Sequence, residues 1–380
     1  MADNDERDRN ERPVSRRESG PDADTRAAKP AGDLDAGGAE KRQRGLLGHA
    51  GRAAGFTAAA ALAAYSVYLL GAGRGRRRPV TELANALGMR IEYVPWGDVH
   101  YAFYTREGRG RPLILLHSVN AAASAHEMRP LARAMARGDR PIFAMEWVGF
   151  GHSDRPEIDY TPDMMEDQLE HFLAHVVRPA AGGADVVGLS LGATYAAEVA
   201  RRRPDLIRSL VAIEPAGLGG EPGEVGRVWS RVLFTLPGVQ RAFYDRLTSP
   251  DRLFAFARDN LFTPEFGVPE EYVEYGVETA RVEGAARPLD DFLNGRLFPA
   301  DATETFLRLR QPVLVIHGTV ENRRMDSLER LPELEGRPNV SVVGLPTGSL
   351  PHWERAAEVA ERVRDFFGAQ DGEFAPRVDE

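Results

Sequence analysis

The sequence predicts an α/β fold: a mostly parallel sheet, covered on both faces, with a helical cap inserted before its last strands. Three observations predict it. From about residue 112 onward, short and continuously apolar runs alternate with helix-length segments. Strands buried on both faces read this way, whereas a half-exposed antiparallel sheet alternates apolar and polar residues. One such run, Ala184-Asp185-Val186-Val187, leads directly into Gly188-Leu189-Ser190-Leu191-Gly192 and then an alanine-rich stretch, the order of strand, sharp turn and helix. Between about residues 215 and 308 the rhythm breaks into helical pieces carrying Trp229, Phe234, Phe243, Phe254 and Phe256, which reads as a cap over the strand ends.

The 380 residues suffice for one large domain with appendages. Residues 1–50 are polar, charged and rich in Gly, Pro, Asp and Arg, so they bury too little apolar surface to offset ordering and are expected to be disordered. Arg16-Arg17 superficially suggests a twin-arginine export signal, but Glu18 follows at once and the next apolar run lies far downstream. That run, residues 53–73, holds no charge between Arg52 and Arg74. At about 1.5 Å per residue it spans a bilayer core of about 30 Å, which predicts a single transmembrane or membrane-associated helix. The alternative is a helix packed on the soluble domain. Arg74, Arg76, Arg77 and Arg78 cluster more tightly after the run than Lys41, Arg42, Arg44 and Arg52 do before it. By the positive-inside rule this favours a cytoplasmic catalytic domain.

The main domain is expected over residues 80–368, with the cap at about 215–308 and a disordered tail at 369–380. Arg90-Ile91-Glu92-Tyr93-Val94 and residues 99–104 predict a hairpin around Gly97-Asp98. Strands follow at 112–116, 141–145, 184–187, 207–213, 312–316 and 340–343. Helices are expected at 124–137, 163–177, after Ser190, and at 353–367. The net charge of −9 argues against nucleic acid as a partner. With no cysteine, disulfides, thiolate metal sites and a cysteine nucleophile are excluded. No cofactor or metal site is expected.

The chemistry centres on Ser190. A serine at such a turn presents its hydroxyl at the carboxyl edge of the sheet, with the next backbone N–H at a helix N-terminus where an oxyanion is stabilised. Over residues 90–368 the chain resembles the α/β-hydrolase family. The resemblance is carried by Leu115-Leu116-His117-Ser118, by Gly149-Phe150-Gly151-His152-Ser153-Asp154-Arg155-Pro156, by the Ser190 turn, and by Leu350-Pro351-His352-Trp353-Glu354. It implies a serine hydrolase of the cap-containing, esterase-like kind, with Ser190 as nucleophile and the N–H groups of Val119 and Leu191 as oxyanion hole. Glu321 occupies the family's acid position, and Glu214 is an alternative.

The resemblance fails at the base. The family pattern places histidine where this chain has Ser349, and only the normally auxiliary His352 remains. A serine hydroxyl takes no proton at neutral pH. Three alternatives stand: His352 reaches the nucleophile, His126 or His117 substitutes, or the turn persists without efficient catalysis. Two functions follow. One is a hydrolase of small, lipophilic ester or related acyl substrates, with Ser190, Glu321 and His352 as its triad. The other is a ligand- or partner-binding protein with a degraded triad.

Overall fold

The computed structural model describes residues 77–178, 183–219, 239–320 and 328–373. The charged segment 1–50, the apolar run 53–73 and Glu321 lie outside these residues. Among the described residues no helix is long and apolar enough to cross a membrane.

Among the described residues eight strands form one sheet: β1 (Arg90–Trp96), β2 (Val99–Arg106), β3 (Leu113–Leu116), β4 (Ile142–Met145), β5 (Ala184–Leu189), β6 (Ile207–Ile213), β7 (Val313–Gly318) and β8 (Val340–Leu345). Their spatial order is β1-β2-β4-β3-β5-β6-β7-β8. A tight turn at Gly97-Asp98 closes the β1–β2 hairpin, with Trp96 opposite Val99. β2 also runs antiparallel to β4, and every later pairing is parallel.

The two-sided burial expected from the sequence is present. Ile114, Leu116, Val186, Ala212, Val313 and Val315 share one core with Trp147, Phe172 and Tyr195. Leu113, Leu115, Val187, Val211, Leu314 and Ile316 point the opposite way, into a core with Met128, Leu131 and Phe367. This is the period-two alternation of a strand with both faces apolar. Each buried large side chain contributes about 1.5–3 kcal/mol, so the doubly covered strands fix the framework.

The helices are α1 (Arg129–Met135), α2 (Pro162–His171), α3 (Leu191–Arg202), α4 (Val239–Leu247), α5 (Pro250–Asn260), α6 (Glu270–Ala280), α7 (Leu289–Leu293), α8 (Ala302–Arg308), α9 (Leu331–Glu335), α10 (Pro351–Glu354) and α11 (Ala356–Glu373). The stretch expected as one helix over 124–137 is a 3₁₀ turn, Ala125–Met128, followed by α1, because Pro130 resets the helix start. Thr161 caps α2 by accepting the Met164 N–H, and the helix loosens into a π turn over Phe172–Val177. The last helix continues to Glu373, beyond the end expected at residue 367.

Helices α4 to α8 intervene between β6 and β7 and form the cap. Tyr244 Oη donates to the Ala121 carbonyl at 2.8 Å, and Tyr195 Oη donates to the Leu297 carbonyl at 2.7 Å. These buried phenols tie the cap to the loop after β3 and to α3.

Candidate active site

β3, β5 and β6 lie side by side and all end at the same edge. The strand order reverses direction around β3, and in open α/β sheets such a switch point opens a crevice beyond the strand ends. A cavity of about 80 Å³ occupies it, lined by Ser118, Val119 and Asn120 after β3, Ser190 and Leu191 after β5, and Glu214 after β6. The wall also includes Glu127, Ser349, Phe256, Tyr272, Phe292 and Phe298.

Ser190 stands between β5 and α3 with φ 51° and ψ −123°. A non-glycine residue at positive φ is strained by its own Cβ, at a cost of order 1–3 kcal/mol. The surroundings enforce the conformation. The Ser190 N–H donates to the Ile213 carbonyl at 2.9 Å, and the Ser190 carbonyl accepts the Ala193 N–H at 3.0 Å. A Cβ on Gly188 would fall 2.5 Å from Ala193 Cα, so glycine permits the strand and helix to meet. A Cβ on Gly192 would fall 2.4 Å from the His117 carbonyl oxygen, so this glycine lets the loop after β3 lie over the start of α3. Val119, after β3, and Leu191, at the start of α3, line the same cavity as the serine. Neither N–H is engaged by the backbone of another described residue.

Glu214 is the second strained residue at this edge, with φ 43°. Its N–H pairs with the Ile316 carbonyl at 2.9 Å and its Oε1 accepts the Gly318 N–H at 2.5 Å. The carboxylate therefore bridges the ends of β6 and β7 while lining the cavity. Glu321, expected as the acid, falls outside the described residues.

The histidines lie elsewhere. His352 is wholly buried, and its Nε2 donates to the Glu127 carbonyl at 2.9 Å. Burial holds its pKa down at about 4, so the ring is neutral, and its Nδ1 has no partner. His126 stacks on Tyr275 at 4.4 Å and accepts from Arg129 Nη1 at 3.2 Å. Burial, with the charges of Arg129 and Arg133, lowers its pKa to about 3. His117 donates through Nδ1 to the Ser118 carbonyl at 2.6 Å, and its Nε2 lies 3.2 Å from both the Trp147 N–H and Glu146 Oε2. Among the described lining residues there is no histidine. Of the expected triad, only Ser190 is thus seen at the cavity; the expected approach of His352 to it is replaced by a bond to Glu127.

Glu127 is the site residue that sequence reasoning missed. Its Oε2 accepts the Ser118 N–H at 2.9 Å and its Oε1 accepts Asn120 Nδ2 at 2.8 Å. Burial raises its pKa, opposed by the His117 charge and by these bonds. In the sequence it is one acid in a short polar helix start, with no signal of burial. Glu146 is also fully buried, but there the hydrogen bond and charge of His117 outweigh burial and lower the pKa.

No group of histidine and acid side chains suited to a metal ion occurs among the described residues.

A strained serine at a sharp strand–helix turn, lining a cavity at the switch point of a doubly covered parallel sheet, defines the class of protein. Residues 113–362 match the model of the alpha/beta hydrolase family, and the chain belongs to that family. It is 32% identical over 116 residues to a 2-hydroxy-6-oxo-6-(2'-aminophenyl)hexa-2,4-dienoic acid hydrolase of Metapseudomonas resinovorans, a match covering 30% of this chain and 39% of that relative. A 2-hydroxymuconate semialdehyde hydrolase of Pseudomonas sp. strain CF600 is 28% identical over 280 residues, 70% of this chain and 89% of the relative. The fold is similar to that of the enol-lactonase of Burkholderia xenovorans LB400, with a TM-score of 0.57 and 18% identity over 73% of this chain and all (100%) of the lactonase.

Proposed function

We propose that the protein is a serine hydrolase of small, lipophilic ester or related acyl substrates, acting through an acyl-enzyme at Ser190. The observation that carries this reading is the strained Ser190, which lines the cavity together with Val119 and Leu191. Ser190 Oγ attacks the substrate carbonyl, and the Val119 and Leu191 N–H groups hold the resulting oxyanion. Collapse expels the alcohol with a proton and leaves an ester on Ser190, which water then cleaves to acid and free serine. Phe256, Phe292, Phe298 and Leu261 make an apolar wall suited to the acyl chain.

The proton transfers are the slow part. Ser349 lines the cavity where the family carries its base. The Glu214 carboxylate lines the cavity as an ionisable acceptor, and an ordinary carboxylate is about two pKa units less basic than an imidazole. Glu214, or Glu321 as expected from the family pattern, would serve as the acid wherever an imidazole is supplied.

Ser349 also favours a second reading: a ligand-binding protein whose oxyanion hole leaves only residual turnover. A fluorophosphonate probe separates the two. Labelling of the wild type that disappears in Ser190→Ala supports the hydrolase; an unlabelled, folded wild type leaves the binding reading.

We further propose that residues 53–73 attach the protein to a membrane, with the catalytic domain on the cytoplasmic side. The support is the uncharged run itself and the arginine cluster after it. Release of the full chain from membranes by alkaline carbonate would contradict an integral span.

A further inference from the structure

The bonds around Glu127 assign a purpose to the histidine that does not reach the nucleophile. The Glu127 carbonyl accepts two buried donors, His352 Nε2 at 2.9 Å and Trp353 Nε1 at 2.7 Å. This fixes the backbone of the Ala125–Met128 turn against α10. From that fixed turn the Glu127 side chain reaches the loop after β3. It accepts the N–H of Ser118, the residue before Val119, and the side chain of Asn120, the residue after it. Asn120 Nδ2 also donates to Ser118 Oγ at 2.8 Å, and Asn120 Oδ1 accepts the Ala122 N–H at 2.9 Å. The peptide carrying the Val119 N–H is therefore held on both sides by one carboxyl group.

We propose that Glu127 is a positioning residue that aims the Val119 N–H at the oxyanion, and that His352, through the Glu127 carbonyl, steadies Glu127 and is not the base. The proposal rests on the acyl-enzyme reading of Ser190. An oxyanion donor acts only if it is aimed before charge develops, so a small rotation of this loop costs transition-state stabilisation and leaves ground-state binding alone. A fully charged carboxylate beside the hole would oppose the oxyanion. The upward pull of burial on Glu127 moderates that opposition. His352 has the tautomer this arrangement needs, with the proton on Nε2. Glutamine at position 352 keeps an N–H donor of similar reach but has no basic nitrogen.

The test is saturation kinetics of Ser190 phosphonylation by a fluorophosphonate in the full-length protein, measured across pH. Glu127→Ala is expected to lower the maximal inactivation rate at least tenfold with little change in the half-saturating probe concentration. His352→Gln is expected to stay within about threefold of wild type with an unchanged pH profile, while His352→Ala falls further. Where Glu127→Ala fails to fold, Asn120→Ala removes the other half of the clamp without vacating a buried acid. It is expected to lower the same rate severalfold.

A folded Glu127→Ala or Asn120→Ala protein that reacts at the wild-type rate would overturn the positioning role. A folded His352→Gln protein as slow as His352→Ala, with the acid limb of its pH profile gone, would make His352 the base and overturn the assignment. Wild type that is not labelled at all removes the acyl-enzyme reading, and this inference with it.

Discussion

Replacing Ser349 with histidine should turn a slow site into a fast one. Ser349 is nearly buried, lines the cavity with Ser190 and Glu214, and sets its Oγ 3.3 Å from the Asn260 carbonyl. Its neighbour Gly348 is pressed against the cap, since a Cβ there would fall 2.3 Å from the Leu261 carbonyl. The loop thus has little freedom to shift, and the new ring must grow into the cavity of about 80 Å³. Overpacking of this kind costs about 1–3 kcal/mol of stability. The gain comes from basicity and placement. An imidazole is about two pKa units more basic than an ordinary carboxylate, and a positioned general base contributes about 10²–10⁴ in rate.

A rise of about 100-fold in kcat/KM on a short p-nitrophenyl ester is therefore expected, equivalent to about 2.7 kcal/mol of transition-state stabilisation. The base must be neutral to act, so the gained activity should rise with pH through about 6.5 and then level. The assay is ester turnover across pH, with thermal unfolding of the same sample as the control for folding. A folded variant with wild-type turnover and no limb near that pH would refute the argument. It would mean that Ser349 does not mark the vacant place of the base.

Stability should fall in mild acid. Burial holds His352 down at about 4, and burial with two arginine charges holds His126 down at about 3, whereas the unfolded chain protonates both near 6.5. Their contribution is complete above about pH 6.5 and is lost as pH drops toward 4, by about 1.4 kcal/mol per pH unit for each ring. Urea midpoints at about pH 7.5 and about pH 5 should differ accordingly, and His352→Gln should reduce the difference; equal midpoints would contradict it. Phe298→Ala removes an aromatic wall of the cavity that packs on Phe292 at 5.7 Å, and should shift ester preference toward longer acyl chains. An unchanged chain-length series would take Phe298 out of the acyl site. Asp185 is buried at the far end of β5, bound by Arg140 at 2.6 Å and by Ser209 Oγ at 2.6 Å. Asp185→Ala should cost about 3–5 kcal/mol in denaturant titration, while fluorophosphonate labelling of the folded fraction is unaffected.

What the sequence revealed follows from the range of the forces involved. The central strands were legible because burial on both faces leaves an apolar run that needs no knowledge of neighbours, as in Leu113-Ile114-Leu115-Leu116. The Ser190 turn was legible because its two glycines answer local crowding by Ala193 and by the His117 carbonyl. Glu127 was not, since its bonds to the loop after β3 and to α10 arise only once the chain is folded. Glu214 was half legible. The following Pro215 marks a bend, but the capture of the Gly318 N–H that draws the side chain to the cavity depends on the pairing of β6 with β7.

The closing motif shows how a family pattern can report on fold without reporting on reaction. His352 and Trp353 converge on the Glu127 carbonyl. Glu354 accepts the Gly348 N–H at 2.9 Å and the N–H of Thr263, in the cap, at 3.1 Å. All three side chains are occupied in joining α10 to the loop before it, to the cap and to the Ala125–Met128 turn. Loss of any of these bonds would leave a buried donor or acceptor unpaired, at about 1–3 kcal/mol each, whether or not Ser190 reacts. The bonds that His352, Trp353 and Glu354 make are therefore structural and independent of the base. Ser349 lines the cavity, and its hydroxyl donates to the Asn260 carbonyl at 3.3 Å. Among the polar side chains of this motif it is Ser349 that lines the cavity, at the position where the family pattern has its base.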